Sequence, residues 1–340
     1  MMPSTPMHVD EMRQAVHALA ANGGNQARAA RALGIARTTF QARIDAARRA
    51  QVQIDPIVSV KAAPDLNEPI ADLIARKKLG VQRAQAHEEW AKLIPVTVND
   101  PGPIGILLVG DPHVDDDGCD ISQLEHDLTT VGRTKGFYAG HLGDLTNNWV
   151  GRLARLYAHQ STSFGDGLRL TEWMLGLCNS LFVVNGNHDT WEKGADLLRF
   201  IVKAGAHQSH GARMALRWPN GQEIRLHARH DFPGRSQFSD THGMKRELLW
   251  GHKDHILVCG HTHVDEARVE PSAEGVHWMF RVSGYKVIDD YAKEHHFRPK
   301  RLAPSVSVVI QPDAKPAERV KPFWDVDAAA DWLTFLRKKK

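Results

Sequence analysis

From residue 104 onward, short apolar runs end one after another at polar clusters. Ile104 to Val109 leads into Gly110-Asp111, Phe137 to Leu142 into Gly143-Asp144, and Leu181 to Val184 into Asn185-Gly186. Ile224 to Ala228 leads into Arg229-His230, and Ile256 to Cys259 into Gly260-His261. Such runs predict buried strands with functional loops at their carboxyl ends. Helical stretches are predicted between them at 121–133, 150–179 and 193–204, with further strands around 277–284 and 304–311. The alternation predicts an α/β layered fold. A closing helix is expected over about 326–337, with Asp325 as N-cap and Val326, Ala329, Ala330, Leu333 and Leu336 on one face.

The chain before this region has a different pattern. Residues 8–50 are Ala-rich and polar-basic and read as helical, broken at Gly23-Gly24. Pro56 and Pro64 mark 51–66 as a linker, and 67–94 reads as one charged helix. Pro95, Pro101 and Pro103 set a boundary. The expected organisation is a helical domain at 1–50, a linker and connecting helix at 51–100, the α/β domain at 101–312, and a helix with a basic tail at 313–340.

Composition narrows the chemistry. With 42% hydrophobic and 24% charged residues among 340, the chain can bury a substantial core. The formal charge of +3 is uneven: residues 1–92 carry 13 Lys and Arg against 9 Asp and Glu. The helical segment is therefore basic and the remainder slightly acidic. Three cysteines exclude a disulfide scaffold and a thiolate zinc finger, and fit a reducing cytosol. Cys259 reads as a buried strand residue. The start of the chain has no apolar signal region, and no long apolar run occurs, so a cytoplasmic protein with no membrane segment is expected. There are 20 histidines, so a metal site here would use imidazole, carboxylate and amide ligands.

The strand ends supply those ligands in order: Asp111 and His113, Asp144, Asn187 with His188 and Asp189, His230, then His261 and His263. Glycine precedes four of the five clusters, where a loop must turn sharply beside a bound group. Two divalent ions roughly 3.5–4 Å apart need a shared carboxylate, several neutral imidazoles and an open edge. Asp144 is the natural bridge. Asp111, His113 and His263 complete one ion, and Asn187, His230 and His261 the other.

The series D-x-H, G-D, G-N-H-D, H and G-H-x-H resembles the calcineurin-like metallophosphoesterases over about residues 104–312. The resemblance implies a four-layer α/β/β/α sandwich and hydrolysis of phosphoric esters with two divalent ions, manganese first, with iron, zinc or nickel as alternatives. It implies the same ligand sets, with Asp144 shared. It also implies that His188 is the acid at the leaving oxygen, with Asp189 orienting its imidazole. The second motif departs from the family, which often has an acid or His soon after Gly-Asp. Here Asn147 or Asn148 is the candidate for a phosphate contact. Asn148 to Gly151 resembles the lipid-A-pathway UDP-diacylglucosamine hydrolases, but those have Arg where this chain has His188. Arg152, Arg155, Lys245 and Arg246 are candidates to line a phosphate groove, although solvated helix faces explain them as well.

In the N-terminal segment, Asn25 is an N-cap candidate and Ala29, Ala30 and Leu33 form a small-residue packing face. Gly34 turns the chain and Ile35 plugs the core. A second helix, Ala36 to Arg49, anchors on Phe40 and Ile44. An earlier one, Val9 to Ala21, contributes Met12, Val16 and Leu19. This is helix-turn-helix logic, and Gly24 to Ile44 is similar to the Fis-type helix-turn-helix family. The resemblance implies DNA binding, usually as a homodimer. Arg28, Arg37, Arg43, Arg48 and Arg49 are the phosphate candidates, and Thr38, Thr39 and Gln41 the base-edge candidates.

The combined expectation is a two-metal phosphodiesterase or nuclease tethered to DNA. Alternatives are a phosphomonoesterase or small-nucleotide phosphodiesterase, and a DNA-binding regulator with a non-catalytic metal domain. A helix-turn-helix joined to a phosphoesterase resembles phage or mobile-element equipment.

Overall fold

The computed structural model describes residues 7–52, 67–192, 194–203, 205–287 and 302–339. Contacts divide the chain into two units, Met1–Lys77 and Lys78–Lys340. Most of the expected linker, 53–66, lies outside the described residues.

In the first unit, α1 (Val9–Ala21), α2 (Gln26–Ala32) and α3 (Arg37–Arg49) form a small bundle. The Asn25 side chain caps α2 by accepting the Arg28 N–H at 3.1 Å. Gly34 ends α2 at φ 66°, a conformation that costs an L side chain energy. The bundle is too small for many large residues, so close helix crossing does the packing. Ala15, Ala18, Ala29 and Ala30 surround Phe40 and Ile44, with Val16, Leu19, Leu33 and Ile35 at the margin. Met12, expected on this face, is only half-buried, and Ala15 and Ala18 take the interior. The connecting helix α4 (Ile70–Ala91) buries none of its residues.

Among the described residues, the second unit contains two six-stranded sheets. One runs in the order β12 (Val320–Phe323), β11 (Ser305–Ile310), β2 (Ile104–Val109), β3 (Phe137–His141), β4 (Ser180–Val184), β5 (Ala206–Gln208). The other runs β1 (Ile94–Thr97), β6 (Gly211–Arg217), β7 (Glu223–Arg229), β8 (Ile256–Cys259), β10 (Gly275–Arg281), β9 (Glu266–Ser272). Neighbours β2 to β5 are parallel, as are β7, β8 and β10, so within each sheet these strands deliver their carboxyl ends to one edge.

Strand alternation creates the layers. Ile106 and Leu108 face the space between the sheets with Phe182, Met214, Leu226, Ile256 and Phe280. Leu107 and Val109 point the other way, against helices α5 (Ile121–Arg133), α6 (Phe164–Gly176) and α10 (Val326–Lys338). On the far side of the second sheet, Leu257, Cys259 and Met279 pack on Met244 and Leu248 of α9 (His242–Trp250). The result is a helix–sheet–sheet–helix sandwich. Two short helices, α7 (Asn187–Thr190) and α8 (Gly194–Ile201), follow β4. Ala329, Ala330 and Leu333 of α10 share the core of the first sheet, and Asp325 caps that helix through the Ala328 N–H at 2.8 Å.

The single helix expected at 150–179 is two elements. A 3-10 helix covers Gly151–His159, and α6 begins afresh at Phe164, where Ser163 and Asp166 form a capping box. Strands β1, β5, β6, β9 and β12 have no counterpart among the strands expected from the sequence.

Candidate metal centre

The parallel strand ends bring the predicted ligands to one place. Asp111, His113 and His263 offer donor atoms that all lie within 4.8 Å of one another, as do Asp144, His230 and His261. A third such group links His113, Asp144 and His188. The Asp144 Oδ2 atom lies 3.3 Å from His230 Nε2 and 3.9 Å from His113 Nε2, which is the position a shared carboxylate needs. Asn187 joins through its Oδ1, 3.1 Å from His230 Nε2.

The backbone is bent to make this possible. Asp111, His113, Asp144, His261 and His263 all have positive φ, between 41° and 74°. Each is an L residue in the left-handed region, which costs on the order of 1–3 kcal/mol and persists only where surrounding structure imposes it. The adjoining glycines are steric necessities. A Cβ on Gly186 would lie 2.0 Å from Asp144 Oδ1, and one on Gly260 would lie 2.1 Å from Asp111 Oδ2.

The donor set fits divalent cations. His230 Nδ1 is 2.8 Å from the Leu142 carbonyl, so that nitrogen carries a proton and donates. In neutral His230, Nε2 then presents a lone pair. Facing it are two acceptor oxygens, Asn187 Oδ1 at 3.1 Å and Asp144 Oδ2 at 3.3 Å, and the His261 ring, whose Nδ1 at 2.9 Å donates or accepts with its tautomer. One N–H cannot satisfy all of them, whereas a cation can. Asp111 Oδ1 is likewise buried without a hydrogen-bond partner. Carboxylate, amide and imidazole donors suit manganese, iron, zinc or nickel.

Burial pushes the Asp111 carboxyl up to about 7, against the pull of the His230 charge. At Asp144 burial acts in the same direction but is outweighed by the His230 hydrogen bond and by the charges of His230, His113 and His188, so its pKa is lowered. At His230 burial is overcome by the Asp144 hydrogen bond and the Asp111 charge, which lift it to about 10. His113 is held well below its ordinary value by burial, and His261 is lowered by burial and the His230 charge.

His188 sits beside these groups. Its Nε2 is 3.9 Å from Asp144 Oδ2, and its Nδ1 is 2.6 Å from the Asn147 carbonyl. The expected pairing with Asp189 is replaced by that carbonyl. The Asp189 oxygens instead accept the main-chain N–H groups of Leu145 at 3.0 Å and Gly186 at 2.8 Å, tying the β3 and β4 loops together. The expected phosphate contact from Asn147 or Asn148 is also displaced. Asn147 Nδ2 donates to Asp116 and Gln160, and Asn148 Nδ2 donates to the carbonyls of His188 and Trp191. Of the groove candidates, Arg152 and Arg155 are exposed, Lys245 pairs with Glu270, and Arg246 donates to the Pro233 carbonyl.

Three further residues were not singled out from the sequence. The Trp149 and Trp191 rings pack on His188, with centroids 5.3 and 4.1 Å away. Arg281, almost fully buried, donates to Asp231, the Gly260 carbonyl and Thr262, bracing the loops that carry His230 and His261. An Arg at the end of an apolar strand, near an Asp that follows a ligand, was the available signal for it.

On the helical unit, Arg28, Arg37, Thr38 and Thr39 are exposed, as are Arg48 and Arg49. Arg43 is not: it pairs with Glu11 of α1 and its side chain is 17% exposed, so it serves the bundle. Gln41 is half-buried and donates to Asp45 at 2.9 Å. Residues 11–46 match the model of the bacterial regulatory protein family Fis.

No curated protein matches the chain. Among solved structures, the chain is similar to a predicted phosphoesterase from Streptococcus pneumoniae TIGR4, at 12% identity and a TM-score of 0.30, covering 66% of this chain and 99% of that one. It is similar to a metallophosphoesterase from Sphaerobacter thermophilus at 16% identity and a TM-score of 0.33, covering 68% and 95%. Zinc-bound Vps29 from Entamoeba histolytica gives 16% identity and a TM-score of 0.31, covering 65% and 97%. These likenesses are remote, and the chemistry rests on the side chains described above. Among the described residues, no helix is long and apolar enough to cross a membrane.

Proposed function

We propose that the larger unit is a two-metal phosphodiesterase and that the helix-turn-helix binds DNA, so that nucleic acid is its substrate. The observation that carries this reading is the convergence on Asp144 Oδ2 of imidazoles from several strand ends, with His230 Nε2 also facing the Asn187 amide oxygen and the His261 ring. Asp111, His113, Asp144 and His263 would hold one ion, and Asp144, Asn187, His230 and His261 would hold the other. Bound there, divalent ions polarise the phosphoryl oxygens and lower the pKa of water to near neutrality.

The remaining work belongs to the chain. His188 presents Nε2 to the site while its Nδ1 donates to the Asn147 carbonyl, which fixes the orientation of the ring. It gives the Nε2 proton to the departing alkoxide. Trp149 and Trp191 limit water around that ring. The helix-turn-helix raises the local concentration of substrate. Arg28 and Arg37 are the phosphate contacts, and Thr38 and Thr39 the base-edge contacts, on its exposed surface.

The test is hydrolysis of bis(p-nitrophenyl) phosphate, then of linear and circular DNA, by manganese-loaded protein. Asp144→Asn should abolish turnover on all three. A wild-type rate in that variant would sink the reading. Preference for a monoester over every diester would redirect it to a phosphomonoesterase.

A further inference from the structure

The outer face of the second sheet holds a second cluster of metal-ligating groups. Ile224, Leu226 and Ala228 of β7 face the inter-sheet core, so His227 faces the opposite side, toward α9. There its Nδ1 lies 3.8 Å from Glu247 Oε1, and His252 Nδ1 lies 3.0 Å from the same oxygen. The three donor atoms all fall within 4.8 Å of one another.

An ordinary ion pair explains two of these residues. Glu247 accepts both the main-chain N–H and the ring of His252, which closes the turn after α9. It does not explain His227. That side chain is only 9% exposed, and its Nδ1 is buried with no hydrogen-bond partner. An unsatisfied buried polar atom costs about 1–3 kcal/mol, so its persistence beside a carboxylate and a second imidazole points to a ligand.

We propose that His227, Glu247 and His252 form a separate site for a borderline divalent cation of the zinc class. Imidazole and carboxylate are suitable zinc ligands, and bonds of 2.0–2.2 Å in a tetrahedron separate donors by about 3.3 Å. The observed 3.0 and 3.8 Å bracket that value. His252 is the open side, with 54% of its side chain exposed, leaving room for water as a fourth ligand. Nearby charge does not forbid a cation. Asp254 lies 3.8 Å from His227 and engages Arg213 through both oxygens, which neutralises that guanidinium. Arg229 is turned over the Phe232 ring. The ion ties α9 to β7 three residues before His230, so it fixes the strand end that presents that residue.

The test is zinc content per chain after loading with Zn²⁺ and removal of unbound metal, in wild type, His252→Ala and His252→Cys. The expected result is one zinc fewer in His252→Ala and full content in His252→Cys, whose thiolate replaces the imidazole. The comparison is a difference, so it reads the same whatever the Asp144 site holds. In an Asp144→Asn background, Zn²⁺ should raise the unfolding temperature, and adding His252→Ala should remove that rise. Equal zinc content in wild type and His252→Ala would overturn the proposal.

Discussion

His188 and Asp144 meet twice: the main-chain N–H of His188 donates to Asp144 Oδ1 at 3.0 Å, while its ring Nε2 stands 3.9 Å from Asp144 Oδ2. The first contact positions the carboxylate and survives any change of side chain at 188. The second sets the imidazole beside the carboxylate that the proposed ions would share. His188→Ala should therefore keep its metal content and lose about 10²–10⁴-fold in kcat. Elemental analysis beside diester kinetics checks both halves. Unchanged kcat would remove His188 from the mechanism.

Asp189 has a different role from the one its place in the motif implies. Its oxygens satisfy two main-chain N–H groups from neighbouring strand-end loops. Asp189→Asn keeps one acceptor and leaves a buried N–H facing an amide, at a cost of about 1–3 kcal/mol. Urea unfolding should show that loss. The activity that remains should keep the wild-type pH profile, because the Asn147 carbonyl holds His188. A shifted profile would restore Asp189 as its orienting partner.

His141 supplies a pH test outside the ligand set. Burial lowers its pKa to about 4 from an ordinary value near 6.5, and its Nε2 is 3.2 Å from Ser180 Oγ. Between those pH values the unfolded chain binds the proton that the folded chain refuses. Stability is thus fully present above about 6.5 and declines as pH falls toward 4, with about 2 kcal/mol lost by pH 5. Denaturant midpoints at pH 7.5 and 5 should fall further for wild type than for His141→Gln. Equal falls would mean that His141 takes its proton without cost.

The helical unit separates two arginines that look alike in sequence. Arg37 is exposed at the start of α3, while Arg43 is paired with Glu11. Arg37→Ala should weaken duplex binding and reduce the slope of log affinity against log salt by about 0.9. Arg43→Ala should lower the unfolding temperature of the unit and leave that slope unchanged. Fluorescence anisotropy at several salt concentrations, with a melt of each variant, distinguishes them.

The candidate ligands were legible because each cluster follows an apolar run and, in most cases, a glycine, a pattern that local sequence carries whole. The bundle was legible for the same reason, through Asn25, Gly34, Phe40 and Ile44. What escaped the sequence depends on distant partners. Asp189 reaches the Leu145 loop, Asn148 reaches Trp191, and Arg281 spans loops that follow β7 and β8. Among the described residues, strand β9, Glu266–Ser272, pairs only with β10 at the sheet edge, so most of its residues stay exposed and it lacks the apolar signature of a buried strand. The helix expected at 150–179 failed at Gln160. That side chain receives Asn147 and Trp149 and donates to Thr162, which fixes a bend that periodicity does not encode.

The left-handed backbone at Asp111, His113, Asp144, His261 and His263 bears on how this fold can change. At each of these positions glycine would relax the main chain while deleting a donor atom. Selection for stability alone would therefore press toward glycine at the histidine positions, while at Asp111 and Asp144 the main-chain N–H groups of His261 and His188, which those carboxylates accept, oppose it. A descendant that had lost the proposed chemistry should carry glycine first at His113, His261 and His263 rather than at the two aspartates. Their joint presence fits the proposed function, which asks these five positions for donor atoms rather than for an unstrained main chain.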